Sequence, residues 1–168
     1  MNTLHSMSQQ LGLLLAKEQQ ILTTAESCTG GGVAYLVTEI AGSSAWFDRS
    51  FVTYSNEAKQ EMLGVRQATL EKFGAVSEPT VEEMALGALL HSRATLSVAI
   101  SGIAGPGGGS AEKPVGTVCF GFASVQGWLK VETCHFVGER DQVRQQAIEH
   151  VLQSLIQQLT LRDVQNVN

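Results

Sequence analysis

Apolar side chains recur along this chain with two different periods, and the switches between them predict its elements. Leu4, Met7, Leu11, Leu14 and Leu15 fall at helical spacing, so the first segment is an amphipathic helix ending before the polar stretch Lys17 to Gln20. Ile21 to Ala25 is a short β-type run that stops at Glu26-Ser27-Cys28-Thr29 and three glycines, Gly30 to Gly32. Val33, Leu36, Val37, Ile40 and Ala41 then share one helix face. The unit is strand, glycine-rich turn, helix.

Gly42-Ser43-Ser44 breaks that helix, and Ser50 to Tyr54 reads as a second strand. Ser55 or Asn56 caps a short helix running through Lys59 and Leu63 to Gly64. After a loop around Gly74, Pro79 and the acidic pair Glu82-Glu83 open a longer helix with Val81, Met84, Ala85, Ala88 and Leu89 on its apolar face. Leu96 to Ile100 is an apolar strand feeding a second glycine-rich loop, Gly102 to Gly109. Val115 to Ser124 and Leu129 to Val137 form a hairpin around Gln126-Gly127, and Ile148, Val151, Leu152, Leu155, Ile156 and Leu159 mark the final helix. The polar tail after Leu161, residues 162–168, is expected to fray.

Strands alternating with helices over the first hundred residues imply parallel pairing through crossovers, whereas the late hairpin is antiparallel. The expected fold is α/β, a three-layer α/β/α sandwich on a mixed, mostly parallel sheet of about five strands. A length of 168 residues is expected to form one domain, with no linker, repeat or low-complexity segment dividing residues 1–168.

Composition narrows the function. Eleven basic against 16 acidic side chains give a formal charge of −5, and no run of Lys or Arg is present, so a surface that tracks nucleic acid is not expected. Met1 to Gln20 has neither a basic n-region nor an unbroken apolar stretch, so a cytoplasmic protein without membrane contact is expected. The odd number of cysteines, Cys28, Cys119 and Cys134, argues against a disulfide framework; Cys119 and Cys134 read as reduced core thiols. The histidines at 5, 91, 135 and 150 show no metal-ligand spacing with one another or with the cysteines, so no metal is expected. Trp46 and Phe47, apolar in a predicted loop, are candidates for a contact between copies in a homo-oligomer, a dimer being the simplest.

In an open sheet with crossovers, ligands gather beyond the carboxyl ends of the parallel strands. Three loops fall there: Glu26 to Gly32, Tyr54 to Lys59 and Ser101 to Gly109. The first puts Ser27 ahead of a helix start, where free backbone N–H groups favour an oxyanion or a bound anion; its glycines equally suit a sharp turn, and its serine a helix cap. Lys59 falls in the first turn of its helix, where the dipole and desolvation both lower a lysine pKa toward general-base use. A neutral Lys59 could activate Ser27; the ordinary alternative is a solvated surface lysine. Cys28 is a rival nucleophile, since a helix N-terminus can lower a thiol pKa, although neighbouring residues on an extended segment point to opposite sides. Arg140 and Arg144 either pair with a phosphate or form salt bridges at the start of the last helix.

Five segments carry a family resemblance: Thr24-Ala25-Glu26-Ser27-Cys28-Thr29-Gly30-Gly31, Thr53-Tyr54-Ser55-Asn56-Glu57-Ala58-Lys59, Gly74-Ala75-Val76-Ser77-Glu78, Ser101-Gly102-Ile103-Ala104-Gly105-Pro106 and Lys113-Pro114-Val115-Gly116-Thr117. In order they resemble the signature blocks of the CinA C-terminal domain family, which contains bacterial nicotinamide-nucleotide amidohydrolases. The resemblance implies hydrolysis of the carboxamide of nicotinamide mononucleotide to nicotinate mononucleotide and ammonia, in recycling toward NAD, without a cofactor. It also implies a three-layer sandwich, a Ser–Lys pair at Ser27 and Lys59, and a substrate site lined by Thr29, Gly30, Gly31, Tyr54, Gly102, Gly105 and Arg140. The additional nucleotide-processing activity of longer family members is not expected. A catalytically silent nucleotide-binding or regulatory module on the same scaffold is the alternative.

Overall fold

A computed structural model describes residues 3–167. In chain order the elements are α1 (Thr3–Lys17), β1 (Leu22–Glu26), α2 (Gly32–Thr38), a 3-10 turn (Ser43–Ala45), β2 (Phe47–Val52), α3 (Asn56–Leu63), α4 (Gln67–Phe73), α5 (Glu78–Leu90), β3 (Leu96–Gly102), β4 (Thr117–Ser124), β5 (Leu129–His135) and α6 (Arg140–Val167). The five strands form one sheet in the order β2-β1-β3-β4-β5. β1 pairs in parallel with β2 and β3, while β3–β4 and β4–β5 are antiparallel. The sheet is mixed as expected, but its four pairings divide evenly instead of being mostly parallel; the strand directions themselves favour one sense, since only β4 runs against the rest.

Alternation along the strands builds a separate core on each face. Leu96, Val98 and Ile100 of β3 and Val118, Phe120 and Phe122 of β4 meet α1, α2 and α6 through Leu11, Leu15, Val33, Leu36, Val151, Leu152 and Leu155. The residues between them, Ala99, Cys119 and Ala123, face α5 through Val81, Met84, Ala85 and Ala88. The second face is built from small side chains because α5 lies close. A Cβ on Gly121 would come within 2.4 Å of the Val81 carbonyl oxygen, so only glycine fits there.

Several boundaries differ from those the periodicity predicts. β2 lies three residues earlier than Ser50 to Tyr54 at its start, because it is a half-exposed edge strand whose alternation is weak. Ile40 and Ala41 fall beyond α2, which stops at Thr38. α4 was not foreseen; only Thr69 and Leu70 are buried in it, so it carries almost no apolar period. Residues 162–167, expected to fray, continue α6, where Lys17 pairs with Asp163 at 2.9 Å and Asn166 donates to Glu18 at 2.8 Å. Asn168 lies outside the described residues. Trp46 and Phe47, nominated for a subunit contact, are half-buried and pack against the α1/α2/α6 core of their own chain. Among the described residues no helix is long and apolar enough to cross a membrane.

The connections place the site. The chain leaves β1 toward the α2 face and leaves β2 toward the α5 face, so the carboxyl ends of these neighbouring strands open into a crevice.

Candidate active site

Ser27 follows the last residue of β1 and Lys59 lies in the first turn of α3, after β2. Ser27 N–H donates to the Ile100 carbonyl at 3.0 Å, which ties the turn to β3. Ser55 caps α3 through a hydroxyl that accepts from Ala58 N–H at 3.0 Å, as its sequence position predicts. Lys59 is only 1 % exposed. Its Nζ lies 3.1 Å from Ser27 Oγ, 2.9 Å from the Thr53 carbonyl oxygen and 3.4 Å from the Tyr54 carbonyl oxygen.

That partner set accommodates a neutral amine as well as a charged one. Two of the three partners are carbonyl oxygens that can only accept; the third, a hydroxyl, can donate. A neutral amine has two N–H donors and one lone pair, which matches two carbonyls and one O–H. Among the described residues no carboxylate pairs with Lys59, and burial pushes its pKa below the usual lysine value of 10.5.

Ser27 and Lys59 line a cavity of about 210 Å³ together with Cys28, Tyr54, Asn56, Ala75, Val76, Ser101, Gly102, Ala104 and Arg140. All three loops expected to converge contribute to it. A larger cavity of about 390 Å³ lies at the opposite end of the sheet, near Leu96, Ser124 and Trp128, and brings no base against a nucleophile. Arg140 is fixed in the cavity wall: Nη1 donates to the Gly105 carbonyl at 2.7 Å and Nη2 to the Tyr54 hydroxyl at 3.1 Å. Arg144, the other candidate for a phosphate, is turned away. Its Nε donates to the Cys28 carbonyl at 3.0 Å and it clamps the Ser27 turn from α6.

Other expected residues sit behind the site instead of in its wall. Thr29 is buried and its hydroxyl donates to Glu26 Oε1 at 2.7 Å. Gly30 and Gly31 adopt φ of 60° and 94°, the left-handed region a glycine tolerates, and shape the turn. Gly105, also left-handed, supplies the carbonyl that holds Arg140.

Glu26 was missed by sequence reasoning. Fully buried at the end of β1, its carboxylate accepts from Val33 N–H and Ala34 N–H, both at 3.0 Å, and from the Thr24 hydroxyl at 3.0 Å. It occupies the N-terminus of α2, so those amides cannot serve an oxyanion as the sequence suggested. The available signal was the absence of any capping side chain at Gly31. The thiol expectation also reverses. Ser27 and Cys28 both contribute to the cavity wall, but Cys28 packs into the core and burial raises its pKa to about 11. Nor is Cys134 a core thiol: it is half-buried, 3.8 Å from His150 Nε2.

A mixed α/β sheet with a serine hydroxyl against a buried amine at the carboxyl ends of its parallel strands is the architecture of an enzyme domain suited to nucleophilic chemistry. The sequence model of the CinA C-terminal domain matches residues 4–159, and the chain belongs to that family. It is 59 % identical over 155 residues, 92 % of this chain and 94 % of the relative, to the nicotinamide-nucleotide amidohydrolase PncC of Escherichia coli strain K12. The PncC of Enterobacter agglomerans is 55 % identical over the same shares of the two chains. Among solved structures, the competence/damage inducible protein CihA from Agrobacterium tumefaciens superposes with a TM-score of 0.91 at 44 % identity, over 95 % of this chain and 97 % of that one.

Proposed function

We propose that this chain hydrolyses the carboxamide of nicotinamide mononucleotide, giving nicotinate mononucleotide and ammonia and so returning the ring to NAD synthesis in the cytoplasm. The amidohydrolase class follows from the relatives, which carry that activity in their names at 55–59 % identity over nearly their whole length. The observation that carries the mechanism is the 3.1 Å approach of the buried Lys59 Nζ to Ser27 Oγ in a pocket whose lining, among the described residues, holds no carboxylate.

Neutral Lys59 takes the Ser27 proton as Oγ attacks the carboxamide carbon. The oxyanion that forms is held by backbone N–H groups of the Cys28–Thr29 turn, since the first amides of α2 are bonded to Glu26. Protonated Lys59 returns the proton to the departing nitrogen, which leaves as ammonia. Water, deprotonated by the same amine, then cleaves the acyl-serine ester and releases the carboxylate product. No metal or redox cofactor enters these steps. Arg140, already oriented by Gly105 and Tyr54, pairs with the 5′-phosphate.

The test is ammonia release from nicotinamide mononucleotide by purified protein, with Ser27→Ala as control. Turnover that disappears in the control supports the reading. Binding of the mononucleotide without ammonia release in the wild type would overturn it in favour of a regulatory module.

A further inference from the structure

β5 and α6 bring together three unlike donor groups that no linear spacing announces. Glu132 and Cys134 are two residues apart on β5 and share a face, and His150 reaches them from α6. Glu132 Oε1 lies 2.5 Å and Cys134 Sγ 3.8 Å from His150 Nε2, and the three donor atoms all lie within 4.8 Å of one another. All are half-buried, and none lines the Ser27 cavity.

We propose that Glu132, Cys134 and His150 bind a Zn²⁺ ion that joins the edge strand β5 to α6. One thiolate, one imidazole and one carboxylate form a mixed S, N, O set that suits zinc, whereas calcium and magnesium require oxygen donors. Tetrahedral zinc, with bonds of about 2.0–2.3 Å, spaces its donors roughly 3.3–3.7 Å apart. The Cys134–His150 separation is already near that range. The Glu132–His150 contact must open by about 1 Å, which rotation of a half-buried carboxylate supplies.

Charge and packing agree with this assignment. Carboxylate and thiolate together balance the dication, and the thiol proton is released to solvent on binding. Lys130 Nζ, 3.6 Å from Glu132 Oε2, holds the second carboxylate oxygen and leaves Oε1 for the ion. The Phe120 ring packs 4.5 Å from the His150 ring, centroid to centroid, and restricts the imidazole. Half-burial leaves a fourth position open to water.

Tag-free protein is titrated with Co²⁺ as a spectroscopic probe and then with Zn²⁺ as competitor. The expected result is a thiolate-to-cobalt absorption band that saturates at one equivalent and is displaced by zinc. Cys134→Ser abolishes the band. His150→Gln weakens binding beyond the roughly 10–100-fold that loss of an outer partner costs. Cys119→Ser retains it, because Cys119 lies on the opposite face of the sheet against the Thr133 hydroxyl. Zinc at about 100 times its Kd raises the melting temperature by about 5–10 °C. No band in the wild type at millimolar cobalt, or a band that survives Cys134→Ser in folded protein, overturns the proposal. The wild-type titration decides even if a variant fails to fold.

Discussion

Replacing Lys59 by Met removes the amine while keeping an unbranched side chain of similar length in a site that is 1 % exposed. A general base contributes about 10²–10⁴ in rate, which is about 2.7–5.5 kcal/mol at 1.36 kcal/mol per decade. Both kcat and kcat/KM are expected to fall by that factor, because the amine acts on a proton that moves only in the transition state. In the wild type, activity requires the neutral amine, so kcat/KM falls as pH drops below the depressed pKa of Lys59.

Stability supplies a second reading of the same group. Burial lowers the folded-state pKa below the 10.5 of the unfolded chain, so between those two values the unfolded state binds more protons. The penalty for burying Lys59 is therefore full below the folded pKa and is relieved as pH rises toward 10.5, with a slope of at most about 1.36 kcal/mol per pH unit. Lys59→Met lacks this term but leaves the Thr53 and Tyr54 carbonyls without the amine, at about 1–3 kcal/mol each. The difference between the two proteins at one pH mixes these effects; its change with pH isolates the amine. Urea melts at several pH values, beside a coupled ammonia assay, measure both. Parallel stability profiles together with a Lys59→Met rate within about tenfold of wild type would refute the neutral-base assignment.

Five further substitutions probe the rest of the site and its support. Ser27→Ala abolishes ammonia release, while Cys28→Ala keeps most of it, since a thiol with a pKa of about 11 is roughly one part in 10⁴ thiolate at neutral pH; steady-state rates of the two variants decide between the nucleophiles. Arg140→Ala raises KM for the mononucleotide about 10–100-fold with little change in kcat, and leaves the phosphate-free nucleoside unaffected, as parallel kinetics on the two substrates will show. Glu26→Gln puts an amide donor among two backbone N–H groups and three hydroxyls and costs about 2–4 kcal/mol, read as a fall in melting temperature of roughly 5–15 °C. Gly121→Ala drives a methyl into the Val81 carbonyl and destabilises by more than about 1–3 kcal/mol, measured by urea unfolding.

How legible each part was depended on whether its cause is local. The alternation of Leu96, Val98 and Ile100 with smaller residues is written in consecutive positions, and β3 appears where it predicts. Lys59 could be placed in the first turn of α3 because Ser55 marks the cap three residues before Ala58. By contrast α4 has only two buried residues, and its helical state depends on contacts with α5 that no period reveals. The end of β2 shows the same dependence. Thr53 and Tyr54 have the β-type character of strand residues, yet the strand stops at Val52, and the carbonyls of both meet Lys59.

The glycine-rich turn after β1 shows why chemistry is harder to read than fold. Locally, Thr29 to Gly32 ahead of a helix is a ready anion site, and that expectation follows from unpaired amides at a helix start. In the folded chain the anion is the protein's own Glu26, one strand end away in sequence but brought beneath the helix by the turn. The same folding commits Arg144 to the carbonyls of Cys28 and Thr29, and desolvation moves Lys59 toward its neutral form. Of the three cations that a chain of net charge −5 offered near the loops, only Arg140 keeps a charge directed at the cavity. On the proposed function, recognition of an anionic nucleotide therefore rests on one guanidinium held by Gly105 and Tyr54, and the glycines shape the turn that carries Ser27.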